Sequence, residues 1–160
     1  MNAGLLPMAL LSAGVGLALG FASRRGAWLA VAALIVAAVC VATLRLPASL
    51  SGPVFAGSWL SVIATAALVF LPRGLPDWLA IAAGINGGGW LGALASLSPR
   101  PGELVFILPL TLSFLAGQWF TARGHAIVPK VVLSWIIAVA SLSFFVSLMP
   151  TPGYQPDHME

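Results

Sequence analysis

Read for the order of apolar and polar positions, the chain is a series of long apolar runs separated by short clusters of charge, Pro and Gly. The runs cover about residues 3–22, 27–44, 53–71, 78–98, 104–121 and 131–149. Each approaches the roughly 20 apolar residues that a helix needs to cross a hydrocarbon core of about 30 Å. In lipid every backbone amide has to be satisfied within its own segment, so the pattern predicts an all-α integral membrane protein: a compact bundle of six transmembrane helices within residues 1–149. Residues 150–160, PTPGYQPDHME, are too short and Pro-rich to fold alone and read as a flexible C-terminal tail. The gaps, among them Ser23-Arg24-Arg25-Gly26 and Pro99-Arg100-Pro101-Gly102, carry turn chemistry. Being short, they make consecutive helices antiparallel neighbours. Ser51 or Gly52 before Pro53, and Asp77 after Pro76, have the character of N-caps, and the Asp77 carboxylate suits the positive end of a helix dipole.

Composition strengthens this picture. Of 160 residues 60% are hydrophobic and 7% charged, against about 25% charged in an ordinary soluble domain. So few polar side chains cannot cover a water-facing surface. Seven Lys and Arg against four Asp and Glu give a net charge of +3. They are scattered singly or in one pair, so no basic stripe exists to neutralise phosphates, and nucleic acid is excluded as a partner. A single cysteine, Cys40, permits neither an intramolecular disulfide nor a cysteine metal cluster. With no base or positive charge nearby in the sequence, it is expected to be a small buried hydrophobe rather than a nucleophile.

Charge placement sets an orientation. The first run lacks a positive leader and its arginines follow it, so it reads as a retained helix and not as a removable signal peptide. Arg24, Arg25, Arg73, Arg123 and Lys130 fall in the first, third and fifth gaps, whereas Arg45 and Arg100 alone fall on the other side. Short basic loops stay in the cytoplasm, which predicts both termini outside, in the periplasm of a bacterial inner membrane. The bacterial assignment rests on Arg exceeding Lys and on abundant Ala, Gly and Pro. Trp28, Trp78, Trp119 and Trp135 lie close to the same three basic gaps, as expected of an interfacial belt.

Helices in lipid associate through small residues and weak polar contacts. Ser12, Gly16 and Gly20 share one face of the first helix; Ser58, Ser61 and Thr65 of the third; Thr111, Phe114, Gln118 and Thr121 of the fifth; Ser134, Ala138 and Ser141 of the sixth. These stripes predict the bundle interior. The second helix has no comparable stripe and is expected at the periphery.

The fourth run contains Ala83-Gly84-Ile85-Asn86-Gly87-Gly88-Gly89-Trp90-Leu91-Gly92. Successive glycines weaken a helix by roughly 1 kcal/mol each relative to Ala, and Asn86 is the strongly polar amide nearest the centre of the run. Two readings compete. In one, Gly84, Gly88 and Gly92 form a seam for close helix packing, with Asn86 bonded across an interface to a Ser or Gln. In the other, the helix kinks or breaks at Asn86–Gly89 and makes a midplane substrate site. That site would comprise Asn86, Gly87, Gly88, Gly89, Trp90, Gln118, Thr111, Ser61 and Thr65.

No Asp, Glu, Lys, Arg or His lies in the central part of any run, which disfavours a proton-driven carrier. His125 and His158 stand apart from any nucleophile or second metal ligand, so catalysis, cofactors and metals are not expected. Two functions remain. The first is a small permease or channel-like transporter for a small solute, working as a homo-oligomer. The second is a non-catalytic membrane subunit or assembly factor that docks a partner's helices through its glycine seam. A loose correspondence between residues 17–34 and 91–108, each containing Ala-Ser or Leu-Ser followed by a turn with Arg and then Gly26 or Gly102, suggests an inverted internal repeat.

Overall fold

The computed structural model describes residues 5–44, 46–72, 74–97 and 107–148. These form six α-helices and, among the described residues, no strand: α1 Leu5–Leu19, α2 Arg24–Ala42, α3 Ser51–Ala67, α4 Asp77–Leu97, α5 Ile107–Ala122 and α6 Ile127–Leu148. Short 3-10 turns lengthen α3 at both ends, giving an apolar rod over Ala48–Phe70. This rod, α2, α4 and α6 span 19 to 23 residues and are long and apolar enough to cross a membrane. Helices α1 and α5 number 15 and 16 residues, about 22–24 Å at 1.5 Å per residue.

Several ends differ from the sequence expectation for local reasons. Helix α6 starts at Ile127, ahead of the predicted residue 131, because Pro129 falls in the first turn, where its missing N–H has no carbonyl to serve. Helix α1 stops at Leu19. Gly20, Phe21 and Ala22 then form a tight turn on Leu17, Ala18 and Leu19, and Ala22 pairs with Leu75. The start of the fifth predicted run, the end of the sixth, and the tail at 150–160 lie outside the described residues.

The seam glycines fix which helices touch and in which direction. Gly84, Gly88 and Gly92 bring α4 onto the α2 backbone: a methyl group in place of their Cα hydrogens would fall on the carbonyl oxygens of Ala30, Leu34 and Ala38 in turn. Both series ascend together, so α2 and α4 are parallel. Their N-termini are tied as well. Ser23 Oγ accepts from the Gly26 N–H at 3.0 Å, capping α2, and donates to Asp77 Oδ1 at 2.7 Å at the start of α4.

Helices α1 and α5 repeat the arrangement. Gly16 lies against Leu110 and Ser113, Gly20 against Gly117, and Thr121 Oγ1 donates to the Gly20 carbonyl at 3.0 Å. Antiparallel contacts complete the bundle. Gly57 and Ser61 of α3 meet Trp90 and Asn86 of α4, while Val15 of α1 meets Gly87 and Met8 clusters with Ala93 and Leu94.

The core runs through Leu11, Val15 and Leu19 of α1, Ala30 and Leu34 of α2, Trp59, Val62 and Ala66 of α3, and Leu133, Ile136 and Ala140 of α6. Outside it the surface is apolar. Ile35, Val36 and Val39 on α2, and Val131, Leu142 and Phe145 on α6, are all exposed, a larger apolar surface than a water-soluble monomer carries. Helix α2 is therefore peripheral on one face and tightly packed on the other.

Three expectations are corrected. Helix α4 is unbroken through Asn86–Gly89; the neighbouring α2 backbone, which only glycine lets so close, packs along this stretch despite its poor propensity. The α6 stripe faces outward, with Ser134 and Ala138 exposed. Ser134 Oγ bonds its own turn at Val131 O, 2.7 Å, and so needs no neighbour, while α6 buries Pro129, Leu133, Ile136 and Ala140 instead. Cys40 is exposed on the outer side of α2 and not buried.

Candidate functional site

A polar group forms where α3 crosses α4. The α4 turn from Asn86 to Trp90 presents both side chains toward α3, since they are four residues apart on one face. Asn86 Nδ2 donates to Ser61 Oγ at 2.6 Å, and Trp90 Nε1 donates to Asn86 Oδ1 at 3.2 Å. The Trp90 ring lies over Gly57, where a Cβ would strike its edge. Glycine at 57 thus leaves room for the indole between the helices, and the indole N–H orients the Asn86 amide.

Ser61 is buried, Trp90 half-buried and Asn86 exposed. An amide has two N–H groups and two lone pairs. These two bonds engage one of each, leaving an N–H and a lone pair of the exposed amide without a partner among the described residues. Asn86 is the tenth of the 21 residues of α4, far from both ends.

Of the other residues singled out from sequence, Thr65 lies one turn beyond Ser61 on the same buried face of α3. Its Oγ1 has no partner among the described residues, nor has Trp59 Nε1 on the same helix. Gly87 and Gly88 are turned away from the amide, onto Val15 and Leu34, and Gly89 faces open space. Thr111 and Gln118 are not brought to Asn86: they sit on α5, which packs along α1 and has no substantial contact with α3 or α4 among the described residues. The packing residues Ser12, Gly16, Gly20, Gly84, Gly88 and Gly92 are all buried, with Ser12 Oγ bonded to the Met8 carbonyl at 2.7 Å. Sequence reasoning missed Gly57, a lone glycine in an apolar run with nothing local to mark it.

A second cluster gathers at one end of the bundle. Loops one, three and five meet there, through Ser23 with Asp77, Ala22 with Leu75, and Thr121 with Gly20. Arg123 stacks on Trp119 with its guanidinium carbon 4.1 Å from the ring centre, and Lys130 Nζ lies 5.9 Å from the centre of Phe21. Trp28, Trp78, Trp119 and Trp135 are all exposed toward this end. Among the described residues no group of three or more His, Cys, Asp or Glu could hold a metal ion.

Geometry and composition together define the class: an all-helical protein with helices of membrane-spanning length and an apolar exterior. Compared with protein-family models, curated proteins and solved structures, the chain finds no match.

Proposed function

We propose that this chain crosses a bacterial inner membrane six times, with both termini periplasmic, and works as a small permease or channel-like carrier whose solute contacts Asn86. The alternation of helix direction supports six crossings. Helices α2 and α4 run together, as do α1 and α5, each against its sequence neighbours, which is the outcome of a chain passing back and forth. The shared end of loops one, three and five is the basic, Trp-rich end and belongs in the cytoplasm.

The observation that carries the transport reading is the outward amide of Asn86, held by Ser61 and Trp90 near the middle of α4. A polar group facing hydrocarbon with unused hydrogen-bonding capacity is unfavourable by roughly 1–3 kcal/mol, so its persistence there fits a wet crevice. The subunit reading loses ground, because the glycine seam meant to receive a partner's helix is filled by α2. Among the described residues α3 carries no ionisable side chain and α4 only Asp77 at its start, which suits a neutral solute recognised by hydrogen bonds and by contact with an indole.

Thiol labelling tests the reading. In a Cys40→Ser background, Asn86→Cys should react with a membrane-impermeant maleimide, and Val36→Cys, on the outer face of α2, should not. An unreactive thiol at position 86 in folded protein would overturn the wet crevice.

A further inference from the structure

We infer that the Asn86 crevice is half of a shared site, closed by the α3–α4 face of a second copy of this chain, so that each copy brings one Asn86 amide to the solute, an assignment that rests on the permease reading. On a single chain the crevice is open. Helix α4 packs chiefly on α1, α2 and α3, and among the described residues no helix substantially covers its remaining side. Ala82, Ile85 and Asn86 are exposed there, and Gly89 has open space where a Cβ would stand. On α3 both Leu60 and Ala64, on either side of Ser61 in the chain, are exposed as well. Water and a polar solute held against this face would border directly on lipid chains, whereas polar groups within membranes face a bundle interior or an enclosed cavity.

What covers the face has to match it in chemistry and in depth. An amide with one N–H and one lone pair unused is both donor and acceptor, and so complements its own kind. Two copies with the same orientation in a membrane are related by an axis along the membrane normal, which sets each residue of one copy at the depth of the same residue in the other. When one patch meets itself across a two-fold axis, Asn86 therefore faces Asn86, whereas an unrelated partner has no such constraint.

The relief of the face agrees with a helical occupant. Ala82, Ile85 and Gly89 follow one another at spacings of three and four, on the side of α4 that Asn86 shares, and two of the three are small, which lets another helix come close. Other outer faces are bulkier and suit lipid chains: Ile35, Val36 and Val39 on α2, and Val131, Leu142 and Phe145 on α6. In the pair, two amides stand across a common cleft, each held by the Ser61 and Trp90 of its own copy. The solute that fits is a small neutral molecule with hydrogen-bonding groups on two sides, one for each amide.

Cross-linking of the full chain in its membrane tests the pairing. In the Cys40→Ser background, Ile85→Cys should give a product of twice the chain mass on oxidation with copper phenanthroline, whereas Val36→Cys and Leu142→Cys should not. Adding Asn86→Leu should lower the yield at position 85 by about tenfold, within reach of one interhelical amide contact, and Asn86→Gln in its place should restore most of it. No product at position 85, an equal yield at position 36, or a product joined to a different protein would overturn the pairing. Labelling of Asn86→Cys by the impermeant maleimide separates this result from the permease reading. Labelling without the cross-link at position 85 overturns the shared site and leaves the permease reading standing. The cross-link without labelling defeats the permease reading, and the shared solute site with it, while the contact between copies stands.

Discussion

At the scale of single residues, adjacent glycines in α4 separate propensity from packing. Gly88 lies on the Leu34 carbonyl, whereas Gly89 has open space. Gly88→Ala should therefore destabilise by about 1–3 kcal/mol through overpacking, while Gly89→Ala should be neutral or stabilise by up to about 1 kcal/mol through helix propensity. Thermal unfolding of both variants in one detergent checks this, and equal losses would mean that α2 does not lie on the seam. Thr65 gives a second contrast. Its hydroxyl is buried without a partner, so Thr65→Val should be neutral or stabilising, whereas Ser61→Val removes the acceptor of an Asn86 N–H and should destabilise by about 1 kcal/mol. A clear loss at Thr65→Val would instead indicate that a bound molecule uses that hydroxyl. Spacing alone made Gly84, Gly88 and Gly92 legible as a face, and Ser61 as a polar neighbour. It could not show that the seam faced α2, because the receiving surface of Ala30, Leu34 and Ala38 looks like any aliphatic helix.

At the scale of elements, hydrophobic run length located the helices well because a lipid-spanning helix has to be both long and apolar. It was poorer at faces. In α6 the small, polar stripe points outward because serine can satisfy its hydroxyl within its own turn, and an element whose other face offers Leu133, Ile136 and Ala140 can bury that face instead. In α5 the polar residues share a face, yet α5 packs on α1, so Thr111 and Gln118 do not reach Asn86. Such pairings depend on which seams match in register, a property of two helices and not of one. The tie between α2 and α4 is a further consequence of register. Ser23 both caps α2 and binds Asp77, so Ser23→Ala should lower stability by about 1 kcal/mol for the lost cap, with an added loss for the released Asp77 carboxylate. Asp77→Ala in the Ser23→Ala background should then cost less than in the parent, and a double-mutant cycle measures the coupling. Additive losses would show that the 2.7 Å contact carries no energy.

For the whole molecule, the proposed side and parity rest on the one end where loops one, three and five converge. Arg24, Arg25, Arg123 and Lys130 are brought to that end with four exposed tryptophans, and the aromatic contacts of Arg123 and Lys130 place cationic groups against rings where a headgroup region would hold both. On the proposed six crossings both termini fall on the opposite side. A reporter that is active only in the periplasm should work when fused after Glu160, and a fusion in the loop after Ala122 should be active only if the reporter requires the cytoplasm. The charge bias gives a sharper test than the fusions alone. Orientation set by five cationic residues against two should weaken as that difference shrinks, so replacing Arg24, Arg25 and Arg123 by Asn should yield a mixed population with reporter activity on both sides. If the triple variant keeps a single orientation, the basic end does not decide the topology, and the helices themselves, through the pairing of α1 with α5 and of α4 with α2, must fix it.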